Sequence, residues 1–332
     1  MKKANIVVVG LGEIGVVHAY VVAGIENAEL YGVCDLSAAR GKEVARTYGG
    51  KYFKTVAAMC ADPEVDGAIV CVGDEQHFSV CAEIAKAKKG VFVEKPITFT
   101  SAEGLELKRI CAEEDVLFGV AHTTEYIHLN NIARSQIEAG AIGEISHVAI
   151  KHIVDWDCGR DVSPRAKLMY YIGVHDVYSI QRVTGLQITK VFAKSVDKML
   201  KGYNDAILAV FTLENGVIGT LEVGWDLSPA RGMDILGFSI YGDQGTIIKD
   251  YDRMNEGLKF FGADIPVPLD VGVLYESHGK FHGSVPDEDR NFAAALMDRS
   301  IAIESDTDIS IYSVKVIEAI YKSIESGKEE TV

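Results

Sequence analysis

The feature that most constrains the fold of this chain is a turn of three glycines near its N-terminus. In the stretch VVVGLGEIGVVH, Gly10, Gly12 and Gly15 separate an apolar run from a helical pattern. The spacing G-x-G-x-x-G between a strand and a helix is typical of a dinucleotide-binding turn. The first glycine permits the tight turn, the second lets the backbone approach a pyrophosphate, and the third lets the helix pack close to the strand.

A carboxylate follows the second apolar run at the position that such a turn requires. Asp35 lies twenty positions after Gly15, where it can accept a hydrogen bond from a ribose 2′-hydroxyl. Its charge repels a 2′-phosphate, so we expect NAD as the cofactor, with NADP as the alternative because Arg40 follows closely. Glu13 and Ile14 begin the helix, whose N-terminal N–H groups are expected to bind the phosphates.

Strand and helix patterns alternate through residues 5–121. Buried strands are predicted at 6–9, 30–34, 68–72, 91–93 and 117–121, with a weaker one near Tyr52, and helices at 14–23, 38–48, 78–88 and 102–113. Ser37 and Ser101 are predicted N-caps for two of these helices. The alternation predicts an α/β fold with a doubly wound parallel sheet, in a Rossmann domain that covers residues 1–122.

The pattern changes after residue 122. A helix is predicted at 128–139, strands at 144–154, 188–196, 206–213, 217–225 and 235–241, and a last helix that runs into a charged tail. The stretches LENGVIG and YGDQGTI each predict a tight turn between two strands. We therefore predict a second, α+β domain over residues 123–332.

The composition of the chain is acidic, with a net charge of −15 over 332 residues. Nucleic acids and anionic membranes bind proteins through basic surfaces, so neither is expected as a partner. The apolar runs are too short for a membrane span, and the N-terminus lacks the pattern of a secretory signal. Six scattered cysteines without metal-binding spacing predict reduced thiols, no metal site and a cytoplasmic location.

Two further segments carry ionisable groups in places where chemistry is expected. VEKPIT puts Glu94 and Lys95 directly after the fifth predicted strand, and ligands of doubly wound sheets bind outside the carboxyl ends of the strands. LMYYIGVHDVYS carries His175 within a helical pattern.

These stretches together resemble the Gfo/Idh/MocA oxidoreductases, a family named for glucose–fructose oxidoreductase and inositol dehydrogenase. The resemblance runs through GLGEIGVVH, CVGDEQH, VEKPIT, IEAGAIGEISHV, GVHD and DEDRNFAAAL. It implies a Rossmann domain followed by a domain with a large, mostly antiparallel open sheet, which favours a homodimer or homotetramer. It also implies NAD(P)-dependent hydride transfer between nicotinamide and a secondary hydroxyl or ketone of a small polyol, sugar, sugar derivative or cyclitol.

The resemblance implies roles for single residues as well. Lys95 would hydrogen-bond the reacting hydroxyl and stabilise its developing negative charge. His175 would take the hydroxyl proton during oxidation and return it during reduction. Glu94 would orient Lys95, and both residues would lie at the cofactor site. Other residues are expected to line the cofactor cleft: Val72, His18, His77 and His122.

Three positions depart from the family pattern. Tyr171 stands where many members carry aspartate four residues before the motif histidine, Tyr178 replaces a second aspartate, and Glu125 lies where arginine is common. Helical spacing would bring Tyr171 to the same face as His175, so Tyr171 is predicted to assist it.

The departures leave three functions open: a dehydrogenase with a different substrate, a non-catalytic NAD(P)-binding sensor, or a redox-assisted elimination of the glycosidase type with tightly bound NAD. Retention of Lys95 and His175 favours the dehydrogenase. Aromatic and charged side chains suit a sugar face and an anionic group, so we predict five substrate contacts. They are Glu125, Trp156, Arg165, Tyr178 and Trp225.

Overall fold

The chain divides into two compact units in a computed structural model that describes residues 3–227, 234–249 and 273–332, with two short strands between them. The first unit comprises Met1–Tyr126 and Gly272–Ile311, and the second comprises Ile127–Val271 and Tyr312–Val332. The chain first passes from one unit to the other after Tyr126, close to the predicted boundary at residue 122. The second unit is not the continuous domain over residues 123–332 that the sequence predicts, because residues 272–311 belong to the first unit.

The first unit is built on a six-stranded sheet in the order β3-β2-β1-β4-β5-β6. Its strands are β1 (Ala4–Val9), β2 (Ala28–Cys34), β3 (Lys51–Phe53), β4 (Gly67–Val70), β5 (Gly90–Glu94) and β6 (Phe118–Ala121). All five neighbouring pairs are parallel. The central strands β4 and β5 are buried along their whole length, as expected for apolar strands covered on both faces. The predicted parallel Rossmann sheet is confirmed.

Helices connect these strands. They are α1 (Glu13–Gly24), α2 (Ala38–Tyr48), α3 (Val56–Cys60), α4 (His77–Lys86) and α5 (Ser101–Glu113). Ser37 caps α2 as predicted, because its hydroxyl accepts the N–H of Arg40. The prediction for Ser101 was wrong. Thr100 caps α5 instead, in a reciprocal capping box with Glu103, and Ser101 is the first helical residue.

The segment that returns to the first unit carries two short strands, β15 (Tyr275–Ser277) and β16 (Lys280–His282), and the helix α9 (Ser284–Met297). Val285 and Phe292 of α9 are fully buried in the same core as Ile6 and Phe92. The rings of Phe92 and Phe292 stack with centroids 4.9 Å apart. This apolar stripe explains why the segment folds with the first sheet rather than with the second unit.

The second unit is built on a seven-stranded sheet in the order β12-β11-β7-β10-β9-β8-β17. Its strands are β7 (Ile145–Asp155), β8 (Ile188–Val196), β9 (Ala206–Leu213), β10 (Ile218–Leu227), β11 (Asp234–Gly242), β12 (Thr246–Lys249) and β17 (Glu330–Thr331). Between β12 and β15 lie β13 (Lys259–Phe260) and β14 (Val267–Pro268), which pair with each other. Only β7 and β10 pair in parallel, so the predicted mostly antiparallel sheet is confirmed.

Both predicted hairpin turns of the second unit are present. β9 and β10 are antiparallel and joined through Asn215 and Gly216, which both have positive φ. β11 and β12 are joined at Gly242–Gly245, where the N–H of Gly242 donates to the Gly245 carbonyl. The C-terminal tail, predicted to fray, instead adds β17 to the edge of the sheet beside β8.

The helices of the second unit are α6 (His128–Glu138), α7 (Trp156–Val162) and α8 (Val174–Thr184). The long helix α10 (Thr307–Ser326) begins in the first unit and continues into the second. A π-helical turn, Met169–Gly173, immediately precedes α8.

All six cysteines lie in the described ranges, none of them forms a disulfide there, and four of them are buried. Within those ranges, none of the helices combines the length and the apolar character that crossing a membrane requires.

Candidate functional site

The carboxyl ends of the parallel strands gather the predicted cofactor residues at one edge of the first sheet. Gly10 follows β1, Asp35 follows β2, Val72 lies beyond β4, Lys95 follows β5 and His122 follows β6. Ligands of open α/β sheets bind outside this edge. The sheet order thus brings together residues that are far apart in the sequence.

The three glycines of the turn have the surroundings that their predicted roles require. Gly10 has φ +87°, and a Cβ there would lie 2.6 Å from the carbonyl oxygen of Cys71. A Cβ on Gly15 would lie 2.0 Å from the carbonyl oxygen of Gly10, so only glycine lets α1 pack this closely on the turn. A Cβ on Gly12 would meet nothing within 4 Å. The backbone at Gly12 is therefore open to the approach of a ligand.

The N-terminus of α1 is exposed beside this open position. Gly12 is the N-cap residue and has no side chain to bind the first N–H groups of the helix. Glu13 and Ile14 follow it and are both exposed. An exposed helix N-terminus with its positive dipole end suits a phosphate group.

Asp35 connects the glycine turn to the second strand and to α2. Its Oδ2 accepts the N–H of Leu11 at 2.8 Å, and its Oδ1 accepts the N–H of Ser37 at 2.7 Å. A carboxylate has about four acceptor positions, so Asp35 retains capacity for ribose hydroxyls. Arg40 donates to the Leu11 carbonyl at 3.2 Å. These surroundings fit a dinucleotide.

Lys95 lies among ionisable groups of the same edge. Glu94 and Asp74 bring negative charge near its ammonium group, and His122 lies close by. Burial and the positive charge of Lys95 lower the pKa of His122 to about 3, so His122 is neutral at physiological pH. Burial raises the pKa of Asp74, although His77 and Lys95 oppose this shift.

His77 supports the site rather than lining it. Its side chain is 1% exposed, and its ring nitrogens lie 2.7 Å from the carbonyl oxygen of Pro96 and 3.0 Å from that of Val72. The ring therefore connects the segment after β4 to the loop after β5. These contacts favour a supporting role for His77 over the predicted direct contact with the cofactor. Val72 itself is half-buried and keeps access to the edge.

A cluster of buried charged groups lies behind Lys95. Nδ1 of His18 is 2.8 Å from Oδ1 of Asp289, and Nε2 of His18 is 3.2 Å from Oε1 of Glu94. Glu288 is adjacent and fully buried. His18 was expected to line the cofactor cleft, but it is 0% exposed and both ring nitrogens face carboxylates.

The second unit carries His175, in the first turn of α8. The side chain is half-buried. Tyr171 lies in the π-helical turn before the helix, so the predicted i, i+4 relation to His175 spans a change of helix type. A π-turn inserts an extra residue per turn and is frequent at functional sites. The common face of Tyr171 and His175, expected for a regular α-helix, is therefore not imposed by the backbone.

Tyr171 instead packs within an aromatic and cationic group. Its ring centroid is 6.0 Å from that of Trp225, and the guanidinium carbon of Arg165 lies 5.6 Å from its centre. Arg165 is exposed, and Tyr171 is half-buried. Asp176, next to His175, contacts a different residue: its carboxylate is 3.1 Å from Nδ1 of His152.

The predicted substrate contacts separate into accessible and buried residues. Trp225 is 1% exposed, its Nε1 donates to the Asn204 carbonyl at 2.9 Å, and it packs against Gly159, so it is a core residue. Tyr178 is fully buried, which favours a packing role over the predicted contact. Glu125 lies in the first unit, in the turn Thr123–Tyr126, and is 4% exposed. Trp225 is followed by the stretch DLSPARG, in which a substrate contact was also considered. Of this stretch, Asp226 and Leu227 alone are among the described residues.

Two predicted contacts remain accessible. Trp156 begins α7 and is half-buried, and Arg165 follows that helix. Their burial is compatible with the predicted substrate contact.

Residue patterns missed two acidic groups of the first unit. Asp289 and Glu288 lie on α9, within the quoted DEDRNFAAAL but about 195 positions after Lys95, and no local motif connects them to it. A signal was present: Glu288 occupies the helical stripe of Val285 and Phe292, where an apolar residue is expected. Asp74 was also missed, although it lies within the quoted CVGDEQH.

Comparison with known proteins agrees with this geometry. Residues 4–122 match the family described as oxidoreductase family, NAD-binding Rossmann fold. Residues 131–248 match the GFO/IDH/MocA C-terminal domain. The chain is 26% identical to a myo-inositol 2-dehydrogenase of Thermotoga maritima over 260 residues, covering 74% of this chain and 75% of that protein.

Two other proteins are similar over more of the chain. It is 25% identical to a scyllo-inositol 2-dehydrogenase (NAD+) of Bacillus subtilis over 319 residues, covering 92% of this chain and 89% of that protein. The crystal structure of scyllo-inositol dehydrogenase from Lactobacillus casei, with bound NAD(H) and scyllo-inositol, has a TM-score of 0.83 at 17% identity and covers 99% of both chains. That likeness shows a shared fold.

The glycine turn, the parallel sheet and the two family matches identify the cofactor class as well as the fold. The first unit is an NAD-binding Rossmann domain. The chain belongs to the Gfo/Idh/MocA family of NAD-dependent oxidoreductases.

Proposed function

We propose that this protein is an NAD-dependent dehydrogenase that oxidises a secondary hydroxyl of a cyclitol, sugar or sugar derivative. The observation that carries the proposal is the shared carboxyl edge of the first sheet. There an open glycine turn and a lysine among carboxylates follow β1 and β5. The inositol dehydrogenases among its relatives support the substrate class.

The residues that would hold the cofactor follow from the geometry of the turn. The N–H groups at the start of α1 and the open backbone of Gly12 would bind the pyrophosphate, and Asp35 would accept hydrogen bonds from a ribose. NAD+, when bound, supplies the hydride acceptor. The Asp35 carboxylate favours NAD over NADP, because a 2′-phosphate would bring a second negative charge beside it.

Two residues of this chain would handle the hydroxyl group. Loss of hydride from an alcohol carbon requires removal of the hydroxyl proton, and the imidazole of His175 is suited to accept it near neutral pH. The ammonium of Lys95 would hydrogen-bond the same oxygen and stabilise its developing negative charge. Tyr171 and Arg165 would contact other parts of the substrate.

The test is NADH formation, followed by absorbance, with NAD+ or NADP+ and a panel of inositols, aldoses, sugar acids and nucleotide sugars. We expect turnover on one chemical class, with NAD+ preferred. Tight NAD+ binding without turnover on any compound would contradict the proposal and favour a sensor. Product formation from a glycoside without net NADH would also contradict it and would favour redox-assisted elimination.

A further inference from the structure

We propose that Asp289, His18 and Glu94 form a buried hydrogen-bonded chain that positions Lys95 for catalysis. The inference rests on the function proposed above and adds to it two positioning residues, His18 and Asp289. They lie on two helices, and neither contacts the reacting atoms in this account.

The chain can be followed atom by atom from Lys95. Oε2 of Glu94 accepts the backbone N–H of Lys95 at 2.9 Å. Oε1 of the same carboxylate lies 3.2 Å from Nε2 of His18. Nδ1 of His18 lies 2.8 Å from Oδ1 of Asp289. The end of β5 is thereby connected through α1 to α9.

The contacts define the charge state of the histidine. When Asp289 and Glu94 are both ionised, their oxygens only accept hydrogen bonds, so both ring nitrogens of His18 donate and the ring is an imidazolium. Burial alone would lower the pKa of His18, but Asp289 and Glu94 outweigh burial and raise it well above the usual value. His18 in turn keeps the pKa of Glu94 below its usual value despite burial.

The cost of this arrangement indicates a role beyond packing. His18 and Asp289 are 0% exposed and Glu94 is 6% exposed. Replacing a buried ion pair by apolar side chains is often neutral or stabilising, so stability alone does not account for three charged groups in this core. The contacts of these three groups lead to the backbone N–H of Lys95.

Other ionisable groups face the chain from every neighbouring element. Glu288 and Arg290 lie beside Asp289 on α9, and Cys71 approaches His18 from the end of β4. Burial raises the pKa of Glu288 well above the usual value. Asp74 and the neutral His122 face Lys95 itself.

A metal ion is the competing occupant of this cluster. Ligand atoms of His18, Glu288 and Asp289 lie within 4.8 Å of one another. Both ring nitrogens of His18 already face carboxylates, however, so a cation would have to displace the contact with Asp289 or with Glu94. We therefore favour the hydrogen-bonded chain and include metal content in the test.

The kinetic test compares His18→Gln and Asp289→Asn with wild type and with His128→Gln, a matched control at an exposed histidine. Each protein is assayed with NAD+ and the substrate from the panel, from about pH 4 to about pH 10. We expect kcat to fall about ten- to hundredfold in the first two variants, because a small misplacement of a catalytic group has that effect. The Kd for NAD+ should stay within about twofold of wild type, and the control should match wild type.

The pH profile separates positioning from a general loss of structure. Without the imidazolium charge, the pKa of Glu94 rises, so the fall of kcat caused by protonation of Glu94, as distinct from that of the general base His175, should begin about one pH unit higher in His18→Gln. Folded variants with wild-type kcat and an unchanged profile would overturn the proposal.

A measurement that needs no substrate keeps the inference separate from the proposed function. Hydrogen–deuterium exchange of the NAD+ complex reports on the peptide that contains β5 and Lys95. We expect faster exchange of this peptide in His18→Gln and Asp289→Asn, but not in His128→Gln. If wild type turns over no compound, the proposed function fails, and exchange alone decides the inference. Equal exchange in all four proteins, or a stoichiometric metal that His18→Gln loses, would overturn it.

Discussion

The three glycines of the turn differ in what surrounds them, and so they differ in what an added methyl group would do. Gly15 faces the carbonyl oxygen of Gly10 at a distance that no Cβ tolerates, and that oxygen belongs to the backbone. Gly12 faces open space with φ −66°, a value that alanine adopts readily. One position therefore serves packing and the other serves ligand approach.

Gly15→Ala should accordingly affect the stability of the fold, and Gly12→Ala should affect the binding of NAD+. We expect Gly15→Ala to lower the free energy of unfolding by about 2 kcal/mol or more, because the backbone must shift to relieve the clash. Gly12→Ala should leave that free energy within about 0.5 kcal/mol of wild type and weaken NAD+ binding at least about tenfold. Urea unfolding and a fluorescence titration with NAD+ measure the two quantities. A stable Gly15→Ala variant would contradict the assigned packing.

His122 gives the fold a dependence on acidic pH. Its pKa is about 3 in the folded protein, against about 6.5 in the unfolded chain. The unfolded state binds the proton more readily, so the contribution of His122 to stability is present above pH 6.5 and lost as the pH falls towards 3.

Wild type should therefore lose about 2 kcal/mol more of its unfolding free energy than His122→Asn between about pH 7 and about pH 5. Urea unfolding of both proteins at the two pH values measures the difference. Taking the difference between wild type and variant removes the contribution of the carboxylates. Equal losses of unfolding free energy in the two proteins would show that His122 takes up a proton in the folded protein as readily as in the unfolded chain, and would contradict this prediction.

At the scale of single elements, α5 shows how a helix start is fixed by one residue. Thr100 accepts the N–H of Glu103 through its hydroxyl, and the Glu103 carboxylate accepts the N–H of Thr100. Two N–H groups that have no acceptor within the helix thereby form hydrogen bonds.

Thr100→Ala should lower the free energy of unfolding by about 1 kcal/mol, the usual effect of removing a capping side chain. Ser101→Ala is the matched control, because Ser101 lies inside the helix and its substitution leaves the capping box intact. Thermal or urea unfolding compares the two. A larger loss for Ser101→Ala would contradict the assignment of the cap.

Elements of the first sheet could be predicted because each has a local signal, such as the apolar runs of β1 and β5 or the glycines before α1. The cap of α5 was missed by one residue, since Thr and Ser are both capping residues and sequence alone does not give the backbone angles. The π-turn before α8 escaped prediction, because a helical pattern does not show an inserted residue.

Long-range contacts were the other limit. The helical pattern of α9 predicts a buried stripe but does not specify which core receives it. The contact of His18 with Asp289 joins residues 271 positions apart, and nothing local encodes it. The fold class was therefore accessible from sequence, while the contacts of His18 with Asp289 and Glu94 were not.

At the scale of the whole molecule, the second sheet leaves an apolar face exposed. Phe192 and Val210 are register partners on β8 and β9 and are 39% and 51% exposed, and Leu208, also on β9, is 50% exposed. Contiguous exposed apolar side chains on a sheet are typical of an interaction surface. The family resemblance implies that the open sheet serves oligomer contacts.

We therefore expect a homo-oligomer whose mass falls when this face is charged. Val210→Glu should shift the mass measured by light scattering towards that of one chain at micromolar concentration, because an unpaired charge would be buried in the interface. Leu105→Glu is the matched control, since Leu105 is 60% exposed on α5 of the first unit. A monomeric wild type, or a Val210→Glu variant of unchanged mass, would contradict this expectation.

The most direct test of the central claim is the turnover of Lys95→Ala, measured together with its affinity for NAD+. Lys95 is assigned to the reacting hydroxyl and not to the cofactor phosphates. We therefore predict that turnover on the panel substrate falls by about a thousandfold or more. The Kd for NAD+ should change by no more than about threefold. Turnover equal to that of wild type would show that the chemistry does not depend on this lysine and would contradict the account.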